Sequence, residues 1–209
     1  MEKFDLVLAS QSPRRRELLG WIDIPFDIHP SSVEEVTQET EPTAFAIDLA
    51  ALKGRDIWKE LEEGPKNALI VSSDTIVELN GKIYGKPGSK EEARQMLLEL
   101  SNQWHQVVTA VFLKGKVAGE VREHSFAVKT KVKFSSIGED IMEPYLKSEE
   151  SMDKAGAYGI QGKGLVFVEA IEGSYSNVVG FPLVEFLNEL KVFIGLGKDA
   201  ENWREYFSC

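Results

Sequence analysis

The sequence predicts a mixed α/β fold built as one unit. Apolar runs of strand length at residues 4–9, 68–71, 107–113 and 165–171 alternate with segments at 42–62, 89–100 and 182–192 whose apolar positions recur at helical spacing. The 209 residues, 43% hydrophobic and 28% charged, are enough for a core that needs no staples. No internal repeat or low-complexity linker divides them, and only residues 195–209 read as a loosely held tail after a domain of residues 1–194.

Residues 4–9 read as a short buried strand. Ser12 and Pro13 then start a helix to residue 21, because the serine caps a free N–H and proline at the first helical position lacks the N–H that would go unbonded. Residues 25–30 form a second short strand, and the acidic stretch 31–41, without period, is a loop carrying Glu34 and Glu35. Pro42 opens a long helix to residue 62, with Phe45, Leu49, Leu52, Ile57 and Leu61 on one side and Lys53 at its border. The run 68–71 leads through Ser72, Ser73, Asp74 and Thr75 to Ile76 and Val77, and Asn80-Gly81 marks a hairpin turn. Ser89 with Glu92 forms a capping box for the helix 89–100. Residues 107–113 and 117–134 read as antiparallel strands joined near Gly115, the second with Phe126, Val128, Thr130, Val132 and Phe134 on one face. A helix at 138–148, a glycine-dense stretch at 154–162, a strand at 165–171 and a helix at 182–192 complete the chain.

The formal net charge of −10 argues against sequence-independent binding to nucleic acid or to an anionic membrane. One cysteine, Cys209, excludes an internal disulfide framework and a thiolate zinc site. No segment approaches the roughly 18 apolar residues of a membrane span, and the acidic start lacks a basic, apolar leader, so the expectation is a cytoplasmic protein.

Against that acidic background, Arg14, Arg15 and Arg16 open a helix, where the macrodipole already disfavours cations. Backbone N–H groups and guanidinium forks together suit a phosphate. Asp74 interrupts an apolar strand, and a carboxylate withdrawn from water there is either a paired structural group, a general base or a metal ligand. Glu34 and Glu35 alone read as a solvated loop face. They gain a role if a polyphosphate binds, because Mg²⁺ is held by one or two carboxylates plus phosphate oxygens. Lys53 and Lys86 read individually as surface lysines. The glycine-dense stretch is neither a P-loop nor a dinucleotide fingerprint, but its Tyr158 and Gln161 could read a base edge. His29, His105 and His124 lack metal spacing.

Taken in order, Leu8-Ala9-Ser10-Gln11-Ser12-Pro13-Arg14-Arg15, Glu34-Glu35, Ser73-Asp74-Thr75, Gly85-Lys86-Pro87, the stretch 153–162, and Gly173-Ser174-Tyr175 leading to Val179-Gly180-Phe181-Pro182 make the chain similar to the Maf family of nucleoside triphosphate pyrophosphatases. The resemblance implies an inosine triphosphatase-like α/β fold, with two lobes of helices on a mixed sheet around a deep cleft. It implies hydrolysis of a nucleoside triphosphate to monophosphate and pyrophosphate with a divalent cation, Mg²⁺ or Mn²⁺. Asp74 matches the proton acceptor, Glu35 the metal-associated acid, and Arg14 and Arg15 the phosphate-binding arginines next to Ser12. Lys53 and Lys86 match cleft lysines. Arg14, Thr75 and Gln161 fall on the specificity positions of the members acting on dTTP and UTP. A purine or 7-methyl-GTP substrate, and a non-catalytic nucleotide binder linked to septum formation and division arrest, are the alternatives. The departures are Arg16, read as a solvated side chain, and a tail with Trp203, Tyr206 and Phe207, which leaves monomer or homodimer open.

Overall fold

A computed structural model describes residues 3–61 and 67–208. Three sequence readings, the acidic start at Met1 and Glu2, the helix end at Glu62 and the lone Cys209, lie outside them. The elements are β1 (Asp5–Leu8), α1 (Pro13–Gly20), β2 (Asp27–Ile28), α2 (Pro42–Glu60), β3 (Ala68–Leu79), β4 (Lys82–Tyr84), α3 (Lys90–Leu100), β5 (Trp104–Val117), β6 (Glu120–Phe134), α4 (Glu139–Lys147), β7 (Val168–Glu172), α5 (Tyr175–Val179) and α6 (Leu183–Phe193). The sheet runs β2-β1-β3-β5-β6-β7, with β4 also on β3; β1 lies parallel to β2 and β3, and the remaining pairs are antiparallel.

One face of the sheet is covered by α2. Its Ala46, Ala50 and Ile57 pack on Val7, Ile70, Ile76 and Phe112. The opposite face carries two separate lobes. In one, α1 and α6 bring Leu18, Leu19, Phe186 and Leu190 onto Leu8, Leu69 and Val111; in the other, α3 and α4 bring Leu97, Leu100 and Met142 onto Val77, Val107 and Phe134. Each fully buried side chain of this kind contributes roughly 1.5–3 kcal/mol by leaving water.

β3 makes the opening between the lobes. On its outer edge β1 pairs with it as far as Val71, and β4 takes up the same edge only from Val77. Residues 72–76 are therefore paired to β5 alone, and Asp74, Thr75 and Ile76 line a cleft of about 650 Å³. Asp74 does not interrupt the strand, as the sequence reading had it: it pairs with Ala110 inside one continuous strand.

Several expectations shift. The β5–β6 turn sits at Ala118 and Gly119, both at positive φ, and Gly115 lies inside the ladder, where its missing side chain lets the Ala68 carbonyl approach. Residues Lys163–Phe167 form a 3₁₀ helix, and the strand begins only at Val168; an apolar run by itself does not separate a strand from a helical turn. β2 is two residues long, and α5, capped by Ser174, is an added element. Ser89 caps α3 as expected, but the Glu92 carboxylate accepts from the Gly88 N–H. The tail is not loose: Trp203 and Phe207 are in the core, and Phe4 donates to the Tyr206 carbonyl at 2.7 Å.

Candidate active site

The cleft begins at the start of α1. Ser12 caps it by accepting the Arg15 N–H, Pro13 takes the first helical position, and the first turn holds no acidic residue. Ser10, Ser12, Arg14 and Arg15 line the cleft, whereas Arg16 is exposed. One serine-capped helix start thus places Ser12, Arg14 and Arg15 together at this end of the cleft.

Opposite it, α2 brings Lys53 onto β3. Gly54 allows the close approach, since a Cβ there would overlap the Phe112 ring and stand 2.6 Å from Ser72 Oγ. Lys53 Nζ lies 2.7 Å from Asp74 Oδ1 and 2.8 Å from Glu35 Oε2. One ammonium therefore joins two carboxylates that are 39 residues apart in the chain (74 minus 35). Asp74 has 9% of its side chain exposed and Glu35 48%, so the pair spans from the strand interior to the cleft rim. A carboxylate as withdrawn as Asp74 requires such a partner.

Arg15 is used differently from the simple phosphate reading. Its Nε donates to the Gly180 carbonyl at 3.1 Å, Nη1 to Ser10 Oγ at 3.4 Å and Nη2 to Thr75 Oγ1 at 3.1 Å. Gly180 follows α5 at a φ of 117°, a conformation that favours glycine and turns its carbonyl to the guanidinium. Burial pushes the Arg15 pKa down from its ordinary value, and Asp74 opposes that shift. Arg14 reaches across the cleft to Asp153 at 3.1 Å, which joins the two lobes. Desolvation raises the Asp153 pKa, but hydrogen bonds from Lys154 and Arg14 outweigh it and leave the group below its usual range.

Lys86 lines the cleft at the exit of β4. Gln161 does not: the cleft wall ends at Gly159 and Ile160, Ile160 is packed into the core, and the next side chain turns out to solvent. Tyr158 is a wall residue, yet its hydroxyl is bound to His105 Nε2 at 2.8 Å, so it is not free to read a base edge. His29 and His124 pair with Glu60 and Glu189 away from the cleft.

Beyond Thr75 the cleft becomes apolar, with Val77, Val107, Ala155, Tyr158 and Val178 in its wall. Behind Thr75 stand two buried residues that sequence reasoning did not select, Thr109 and Asn177. Thr109 sits directly opposite Thr75 in the β3–β5 register, a relation that no local pattern encodes. Asn177 lies next to the Gly173-Ser174-Tyr175 motif, which was the available signal.

A charged end and an apolar end thus share one cleft, and a family model described as Maf-like protein matches residues 5–193. The chain belongs to the Maf family. Its Maf relatives include the dTTP/UTP pyrophosphatase of Thermococcus kodakarensis, 48% identical over 186 residues that span 89% of this chain and 95% of that protein. Those of Pyrococcus abyssi and Lachnoclostridium phytofermentans, also named dTTP/UTP pyrophosphatase, are 44% and 41% identical over 90% and 91% of this chain and 95% of each relative.

In this Maf chain, Glu35 and Asp74 are the pair that could hold a divalent cation. Among the described residues no group of three His, Cys, Asp or Glu side chains could do so. Two carboxylates converging on one point of the cleft wall are a donor set that suits Mg²⁺, which takes one or two carboxylates and completes its oxygen shell with water and phosphate. No helix among the described residues is long and apolar enough to cross a membrane.

Proposed function

We propose that this protein hydrolyses dTTP and UTP to the nucleoside monophosphate and pyrophosphate with Mg²⁺ or Mn²⁺, acting on free nucleotides in the cytoplasm. The observation that carries the reading is the Glu35–Lys53–Asp74 cluster facing the Arg14 helix start in a cleft with an apolar end. The names of the relatives supply the substrate pair.

In this reading the Ser12-capped helix start and Arg14 receive the phosphates, and Arg14 exchanges Asp153 for a phosphate oxygen as it does so. Lys53 and Lys86 add positive charge along the chain of phosphates. Asp74, held at one oxygen by Lys53, accepts the proton of a water whose oxygen goes to phosphorus, and the α–β anhydride breaks with pyrophosphate as the leaving group. Glu35 at the cleft rim would hold a divalent cation, which would supply charge neutralisation as a Lewis acid. Thr75 and the apolar end take the base, with Gln161 a further specificity residue only if its segment turns inward.

The test is a nucleotide panel: purified protein with dTTP, UTP, CTP, GTP, ATP and 7-methyl-GTP, each with Mg²⁺, Mn²⁺ or chelator, and products separated by chromatography. The expected result is monophosphate and pyrophosphate from dTTP and UTP and none with chelator. Turnover confined to purine nucleotides, or tight nucleotide binding with no product, would replace this reading with one of its two alternatives.

A further inference from the structure

The geometry points to Thr109 as the residue that sets the hydrogen-bond polarity of Thr75, and through it the base edge the cleft accepts; the assignment rests on the pyrimidine nucleotide reading above. Thr109 is fully buried and takes no part in lining the cleft. Its Oγ1 lies 2.9 Å from the Asn177 carbonyl oxygen and 3.0 Å from Thr75 Oγ1. A carbonyl only accepts, so the single Thr109 proton is committed to Asn177. In the threonine pair Thr75 is therefore the donor. Arg15 Nη2 donates to the same Thr75 oxygen at 3.1 Å. Thr75 has then spent its proton and one lone pair, and it presents one remaining lone pair.

The arrangement is locked from behind. Asn177 is fully buried, and its side-chain amide donates to the Val107 carbonyl at 3.1 Å and to Thr130 Oγ1 at 3.0 Å. Those bonds fix the residue whose carbonyl holds the Thr109 proton. Thr75 lines the cleft with Val77, Val107 and Val178, and the Tyr158 hydroxyl is held by His105, so among these residues the Thr75 lone pair is the polar side-chain group left to meet a base.

With ring nitrogen 3 facing Thr75, an acceptor with no proton to give selects an N–H at that atom, which the N–H groups of cytosine's exocyclic amine do not supply. Uracil and thymine carry one at ring nitrogen 3, whereas cytosine has a bare lone pair at the same atom, which would face the Thr75 lone pair. Thr109 thus acts as a positioning residue that favours imide pyrimidines over cytosine without touching the nucleotide.

Thr109→Val keeps the shape and leaves the Asn177 carbonyl with its other donor, the Gly180 N–H at 3.0 Å. It also frees the Thr75 proton to turn into the cleft. The UTP-to-CTP ratio is measured in the parent, Thr109→Val and Thr109→Ser, as kcat/KM and as Kd by calorimetry with metal chelated. The parent is expected to prefer UTP, the valine variant to lower that ratio by about tenfold or more through a gain on CTP, and the serine variant to restore it. A ratio unchanged or raised in Thr109→Val, or no UTP preference in the parent's Kd, overturns the assignment. A parent that binds UTP selectively but releases no pyrophosphate contradicts the proposed function and leaves the polarity readable from the Kd values.

Discussion

Lys53 holds two carboxylates, Asp74 and Glu35, with one ammonium. Asp74→Asn keeps the shape and the strand but cannot take a proton; turnover of UTP should fall by about 10²–10⁴-fold with nucleotide affinity largely retained, and unchanged turnover would remove Asp74 from the mechanism. Asp74 was legible because a carboxylate amid apolar neighbours needs a reason. Lys53 and Glu35 were not legible from their own surroundings, because pairing across a helix, a loop and a strand has no local signature. Arg15 was legible as a cation but not as a strut tied to Gly180, Ser10 and Thr75. His105 is a further case at this scale. Burial alone holds its imidazole down at about 4, whereas in the unfolded chain it titrates near 6.5. Between those values the unfolded chain binds the proton that the folded one refuses. The folded state is therefore free of this penalty above about pH 6.5 and loses up to about 3 kcal/mol as pH falls to about 4. Urea titrations at pH 7 and pH 4.5 should show a larger drop for the parent than for His105→Gln; equal drops would refute it.

Elements place these residues by interruption as much as by packing. β1 and β4 share one edge of β3 and leave residues 72–76 without a strand partner on that edge, which is how Asp74 and Thr75, inside a strand, come to line a cleft. The longer strands and helices were readable from period and capping, and the Asn80-Gly81 turn from its dipeptide, whereas α5 and the 3₁₀ helix at Lys163–Phe167 were not. The gap was not, because which strand pairs where along an edge is decided by the assembled sheet. The same holds for the tail, whose Trp203 and Phe207 read as loose until the core offered them a place. α2 illustrates the coupling of packing to chemistry. Gly54→Val would drive a side chain into Phe112 and Ser72, costing about 1–3 kcal/mol by overpacking. Because Lys53 is its neighbour, the same change should lower turnover more than it lowers nucleotide affinity. A urea midpoint and a turnover rate both equal to the parent's would show that α2 does not need this close approach.

At the scale of the whole molecule, an acidic protein of net charge −10 concentrates Ser12, Arg14, Arg15, Lys53 and Lys86 in one cleft between two lobes. The two lobes touch across it through Arg14 and Asp153. Composition foretold a chain able to bury its own core; the cleft required the sheet, and the family likeness connected it to a triphosphate. In the proposed reaction this cleft splits the bond between the first and second phosphates. Product analysis of UTP and dTTP with Mg²⁺, resolving pyrophosphate from orthophosphate, tests it most directly. The account predicts one pyrophosphate for each UMP or dTMP formed, and release of orthophosphate with UDP or dTDP would contradict it.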